Sequence, residues 1–436
     1  MSAAASQRPP RVPKFPAPSV VDSPALAQLR VALQRGEVQA LRRFWAQVAA
    51  AGTPLVEPAE GRPGHRVVTF LWRGGDELRA VVLLANKLTD PSVWPQSTME
   101  RLAGTDVWHR SYLLRADWRA TYQIAALPVA DEGVAPPAAG PPSRWGAAAA
   151  YAVADPHNPR TFPARDGAEP LSVVELPDAP PQPWCAPRPD VARGTLDEHW
   201  IASHRLGNER RAWVYAPPAT AARDGGPLDV LVLLDGEDWS GRLPGRVVLD
   251  NLIADGAIPP TVAVMPEALD RETRWRELAG HEPFVAFLVD ELLPWVGRRL
   301  PITADPARTT IAGRSLGGLT ALFATLRAPR RFGRALVQSA SLWWPSGSEF
   351  DADAGRLIDE ARTAPQVPAR CYLEVGLQEW ALLGHHRHLR DVLELRGCAV
   401  TYAEYHGGHD ALCWQGGLAD GLAALSAAPV SGRRPG

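Results

Sequence analysis

An α/β catalytic domain preceded by a small all-β domain is the fold class this chain predicts. Three observations predict it. Between His65 and Leu127, short β-rich runs are separated by turn residues, the grammar of an Ig-like sandwich. Prolines then crowd Pro177 to Asp190, too densely for a regular element. Beyond Arg193, nearly continuous apolar strands alternate with helical patterns, as in a parallel sheet covered on both faces. A length of 436 residues suits two domains rather than one core.

The chain opens with residues 1–22, Pro- and Ala-rich and expected to be disordered. Residues 23–165 are read as a helical segment plus a β-sandwich that caps the substrate. Ser23 to Ala51 places Leu26, Leu29, Leu33, Leu41 and Phe44 at helical spacings, with Gly36 as a break between two helices. Arg66 to Trp72 and Leu78 to Leu84 read as strands joined through Gly74-Gly75-Asp76 as a hairpin. A Pro/Gly/Ala-rich insertion follows at Gly133 to Pro142. Residues 166–194 are read as an interdomain linker and residues 195–428 as the catalytic domain.

Composition narrows the function. Lys+Arg 46 against Asp+Glu 48 leaves a net charge of -2, so no basic field is available to grip nucleic acid. Only Lys14 and Lys87 are lysines, and the remaining cations are arginines, whose planar fork binds oxyanions bidentately. No apolar run reaches the ~18 residues of a membrane span, and the first residues lack the apolar stretch of a signal peptide. Cys185, Cys371, Cys398 and Cys413 show no CxxC spacing, which argues against a metal site and for buried thiols in a reducing cytoplasm.

Gly313-Arg314-Ser315-Leu316-Gly317 fits G-x-S-x-G between a strand pattern and a small-residue helix. That context is the nucleophile elbow of an α/β-hydrolase, with the serine at a helix N-terminus where backbone N–H groups stabilise an oxyanion. Chain order in such enzymes runs Ser, acid, His. His409, after Gly407-Gly408 and the last strand, is the candidate base, with His406 as its competitor. Glu379, after the strand Arg370 to Val375, is the candidate acid, and Glu374 and Asp391 read as structural. Leu316 supplies the first oxyanion donor, and Gly236 or Glu237, after the strand ending in Asp235, the second. His385, His386 and His388 read as a solvated helix face.

The stretches LLDGEDW (Leu233 to Trp239), Ala312 to Pro345 and GGHDALCWQGGL (Gly407 to Leu418) resemble the cytoplasmic enterochelin (enterobactin) esterases. VTFLWRG (Val68 to Gly74), STMERLAGTDVWHRSY (Ser97 to Tyr112) and ADPHNP (Ala154 to Pro159) extend the resemblance into the N-terminal half. The resemblance implies hydrolysis of the serine trilactone of a ferric catecholate siderophore, with no cofactor of the enzyme's own, since iron enters with the substrate. His281, Arg314 and His406 depart from the family's usual residues. An anionic, aromatic substrate wants guanidinium groups and flat rings. Arg274, Arg276 and Arg314, with Trp108, Trp239 and Trp343, are therefore the candidate substrate contacts. The alternatives are a feruloyl- or mycolyl-type acyl-ester enzyme on the same scaffold, or a non-catalytic ligand-binding protein. Because all the catalytic grammar lies beyond Gly194, a chain beginning there is expected to keep small-ester hydrolysis.

Overall fold

The computed structural model describes residues 17–90, 93–129, 148–165, 167–219, 225–345 and 355–427. Residues 1–16, most of the segment expected to be disordered, and the insertion Gly133 to Pro142 lie outside these. The chain divides into two compact units. One runs from the first described residues to Pro180 and includes His406–Cys413; the other holds Pro181–Tyr405 and resumes at Trp414.

In the first unit, helices α1 (Pro24–Gln34) and α2 (Ala40–Ala51) flank the break around Gly36, and the Ser23 hydroxyl caps α1 by accepting from Leu26 N–H. Two sheets follow. Strands β1 (Leu55–Pro58), β2 (His65–Arg73), β4 (Glu100–Arg101) and β5 (Val107–Arg115) form a sheet in the order β1-β2-β5-β4, and β3 (Leu78–Ala85) belongs elsewhere. It pairs with β6 (Arg119–Pro128), in a sheet completed by β7 (Ala152–Val153), β8 (Thr161–Phe162) and β9 (Leu171–Glu175). The hairpin expected at Gly74-Gly75-Asp76 is therefore absent: β2 pairs antiparallel with β5, and the Gly-Gly turn passes the chain from one sheet to the other. Val68, Phe70, Tyr112 and Leu114 of one sheet meet Val81, Leu83, Tyr122 and Ile124 of the other in a shared core. Within the span read as linker, β9 is a regular strand, because Leu171-Ser-Val-Val-Glu175 alternates too few prolines and too many β-branched residues to stay irregular.

The second unit is built on one eight-stranded sheet. Its strands are β10 (Thr195–Ser203), β11 (Asn208–Ala216), β12 (Asp229–Leu233), β13 (Thr261–Pro266), β14 (Thr309–Arg314), β15 (Arg334–Gln338), β16 (Arg370–Gly376) and β17 (Ala399–Tyr405). The spatial order is β10-β11-β13-β12-β14-β15-β16-β17. From β13 to β17 every pairing is parallel, whereas β10 and β11 add antiparallel strands at one edge. The sheet is thus mixed rather than wholly parallel. Periodicity explains why β10 escapes a sequence reading: Thr195 to Ser203 is mostly exposed or half-buried edge strand. The central strands β12, β13 and β14 are buried throughout, as strands covered on both faces must be. This crossing order between β12 and β13 is that of an α/β-hydrolase, and it puts the turn after β14 at the carboxyl edge of the sheet's centre.

Candidate active site

Ser315 occupies that turn. Its φ of 55° and ψ of -121° lie in a region that side chains rarely enter. The strain is held from both sides: its N–H donates to the Gln338 carbonyl at 2.9 Å, and its carbonyl accepts from Ser341 N–H at 3.0 Å. Helix α3 (Leu316–Arg327) starts immediately after it. A side chain at Gly313 would sit 2.4 Å from the Gly317 backbone, so only glycine lets strand and helix approach this closely. Ser315 is partly exposed between buried neighbours, and its Oγ lies 3.3 Å from Ser341 Oγ. Leu316, at the first helical position, has an N–H that no intrahelical carbonyl can satisfy, which suits it to an oxyanion.

The second donor loop follows β12. Asp235 sits at φ 61°, and the buried Gly236 and half-buried Glu237 come next. Glu237 accepts from Ala268 N–H at 3.0 Å through Oε2. Burial, then the neighbouring Asp235 charge, raises its carboxyl above the ordinary value.

The arginines proposed to meet substrate are mostly spoken for. Arg274 donates from Nε and Nη2 to Asp235 at 2.5 and 2.9 Å. Arg314 is 1% exposed and pairs with Asp238, which also accepts from Arg242 at 2.9 Å. Its guanidinium lies 5.6 and 5.4 Å from the Trp239 and Trp414 rings. The turn that holds Ser315 and the loop after β12 are therefore tied through Arg314–Asp238, and the Arg314 side chain is buried and ion-paired inside the fold. Of the three arginines, only Arg276 is substantially exposed. Arg314→Met should lower unfolding stability by about 3 kcal/mol, at the low end for a broken buried pair because Asp238 keeps Arg242. KM for a charged substrate should stay put; denaturant melts and steady-state kinetics separate the two outcomes.

The tryptophans are corrected in the same way. Trp239 is 1% exposed, Trp343 packs with Val375 and Leu382, and Trp108 lies in the sandwich core with its indole N–H on the Gly74 carbonyl at 3.1 Å. All three rings are buried. Apolar character alone decided these positions, and a core needs large rings as much as a pocket does.

Glu379 immediately precedes helix α4 (Trp380–Leu395), just past β16. Its Oε1 accepts from Gly376 N–H at 2.9 Å, Ser339 Oγ at 2.5 Å and Tyr405 OH at 3.2 Å. Glu374 is just as buried, and desolvation pushes its carboxyl up to about 8, which makes it a poor partner for an imidazolium. Sequence reasoning missed Ser339, at φ 45° after β15, which also accepts from Trp414 Nε1 at 2.9 Å. His386 needs correction too: it is wholly buried, its Nε2 accepts from Ala340 N–H at 2.9 Å, and its Nδ1 meets the Leu382 carbonyl at 2.7 Å. One helical turn thus carries a structural histidine among the exposed Arg387 and His388.

His409 is partly exposed and belongs, with the rest of His406–Cys413, to the unit that contains the sandwich. Its carbonyl accepts from Asn86 Nδ2 at 2.8 Å. The His406 carbonyl accepts from Arg119 N–H at 3.1 Å, and its imidazole lies 3.9 Å from Asp117. Burial lowers the His406 pKa, with Asp117 opposing.

Comparison with known proteins places the chain in a family. A family model for the N-terminal domain of enterochelin esterase matches residues 67–185, and a second, for an esterase family, matches 203–425. The iron(III) enterobactin esterase of Dickeya dadantii is 36% identical over 438 residues, covering 93% of this chain and 96% of that protein. This chain belongs to the enterobactin esterase family. The iron(III) salmochelin esterase of an Escherichia coli O6:H1 strain is 30% identical, covering 92% of this chain and 97% of its own length. Among solved structures, the Shigella flexneri enterobactin esterase in the presence of enterobactin matches with TM-score 0.73 and 31% identity, over 88% of this chain and 97% of that one. As a family member the chain is an esterase with an α/β-hydrolase catalytic unit and an N-terminal β-sandwich. Among its described residues, no helix is long and apolar enough to cross a membrane.

Proposed function

We propose that this esterase hydrolyses the trilactone ester bonds of a ferric catecholate siderophore such as enterobactin, in the cytoplasm and without a cofactor of its own. The observation that carries the reading is the strained, partly exposed Ser315 at the head of α3, in a chain whose family match runs through both units. Ser315 Oγ attacks the ester carbonyl while His409 takes its proton. The tetrahedral oxyanion is held by the N–H of Leu316 and one from Gly236 or Glu237. Collapse expels the seryl alkoxide, which recovers the proton from His409. Water then repeats the sequence on the acyl-enzyme and frees Ser315. Glu379 keeps the imidazole oriented and stabilises its charged form without taking the proton. Iron arrives and leaves with the substrate, and of the three candidate arginines the exposed Arg276 meets its negative charge.

Incubation with ferric enterobactin followed by chromatography tests this. Linear trimer and shorter fragments are expected, at a kcat/KM well above that for a feruloyl ester. Turnover of p-nitrophenyl butyrate with intact ferric enterobactin would favour another acyl-ester substrate, and inertness toward both would remove the catalytic reading.

A further inference from the structure

A catalytic histidine on a loop works only if the loop is held, and here the anchors come from far away in sequence. Asp410, the neighbour of His409, is buried, and its carboxylate is bonded inside the fold. Its Oδ2 accepts from both the N–H and the hydroxyl of Thr121, at 2.6 and 2.8 Å, across 289 residues of chain. Its Oδ1 accepts from Leu412 N–H at 3.0 Å, which closes the turn at the start of helix α5 (Ala411–Ser426). Two further anchors flank it. Asn86 Nδ2 donates to the His409 carbonyl, and Arg119 N–H donates to the His406 carbonyl. Gly408 fits only as glycine, since a Cβ would lie 2.6 Å from Lys87 Cβ and 2.7 Å from the Asn86 carbonyl. Thr121 and Arg119 belong to β6, and Asn86 follows β3, so all three anchors sit on one sheet of the sandwich.

We propose that Asp410, Thr121 and Asn86 are positioning residues for His409, so that the sandwich mounts the general base. The inference rests on His409 being that base. It assigns the N-terminal unit a part in turnover of every ester, large or small, beyond any contact with a bulky siderophore. The bonds hold main-chain and carboxylate atoms at His406, His409 and Asp410, and a shift of ~1 Å in a catalytic group costs up to about 10²-fold in rate. On this reading a chain beginning near Gly194 loses small-ester activity, against the expectation from motif positions alone. Such a chain keeps Asp410 but loses Thr121, Asn86 and Arg119.

Full-length variants test the proposal on p-nitrophenyl butyrate, a substrate too small to need the sandwich for binding. Asp410→Ala should lower kcat by about 10²-fold and Thr121→Val by about tenfold, with KM within a factor of about two. Thr121→Ser keeps the hydroxyl and should restore kcat. Phosphonylation of Ser315 by an activated phosphonate, which needs the base but no substrate contacts, should slow in parallel. The Val/Ser pair carries the test if Asp410→Ala does not fold. Wild-type kcat and labelling rate in Thr121→Val, or losses that merely track the unfolded fraction in a melt, would overturn the positioning role while His409→Ala remained inactive. Activity retained in His409→Ala would instead overturn the base itself.

Discussion

Ser315→Ala is expected to abolish ester hydrolysis, by a factor of at least about 10³, while the melting temperature stays close to wild type. The size of the effect follows from the elbow. A hydroxyl at this turn is the only group the substitution removes, and among the described residues its side-chain hydrogen bond is with Ser341 Oγ at 3.3 Å. The backbone bonds that hold the turn, Ser315 N–H to Gln338 and Ser341 N–H to the Ser315 carbonyl, do not involve Oγ. The variant thus loses a nucleophile and keeps its scaffold. Residual turnover well above background in the folded variant would remove Ser315 as the nucleophile. Ferric enterobactin should still bind to the inactive protein, and equilibrium titration of substrate against Ser315→Ala reads that binding free of turnover.

How much of this was legible in the sequence depends on the range over which each signal acts. The elbow is local: glycine, serine and glycine between strand and helix leave one geometry, and the structure has it. The central strands are nearly as local, since burial on both faces makes them continuous apolar runs. Pairing is not local. Gly74-Gly75-Asp76 offers a turn, but nothing in it states whether β2 returns alongside β3 or hands the chain to another sheet. Charge is harder still. Arg314 and Arg274 have the chemistry of an anion site, and only the positions of Asp235 and Asp238 reveal that their anions are internal. Asp410 carries no local signal at all, because its partner is a threonine 289 residues away in the chain.

His409→Ala should match the serine variant, because nucleophile and base act as a unit and removing either leaves only binding and the oxyanion donors. His406→Ala should cost far less. The His406 contact that shapes the loop is made by its carbonyl, bonded to Arg119 N–H, and alanine retains it. Its imidazole faces Asp117 at 3.9 Å, with both side chains partly exposed, so little is lost with the ring. Glu379→Gln should fall between the two. Glutamine keeps an oxygen to accept from Gly376 N–H or Ser339 Oγ but loses the charge that favours an imidazolium. A loss of about 10²-fold in kcat, smaller than for His409→Ala, is expected, with KM nearly unchanged. Steady-state kinetics of the three variants on p-nitrophenyl butyrate decide the assignment. An inactive His406→Ala beside an active His409→Ala would exchange the two histidines, and a fully active Glu379→Gln would leave the base working without a carboxylate from this position.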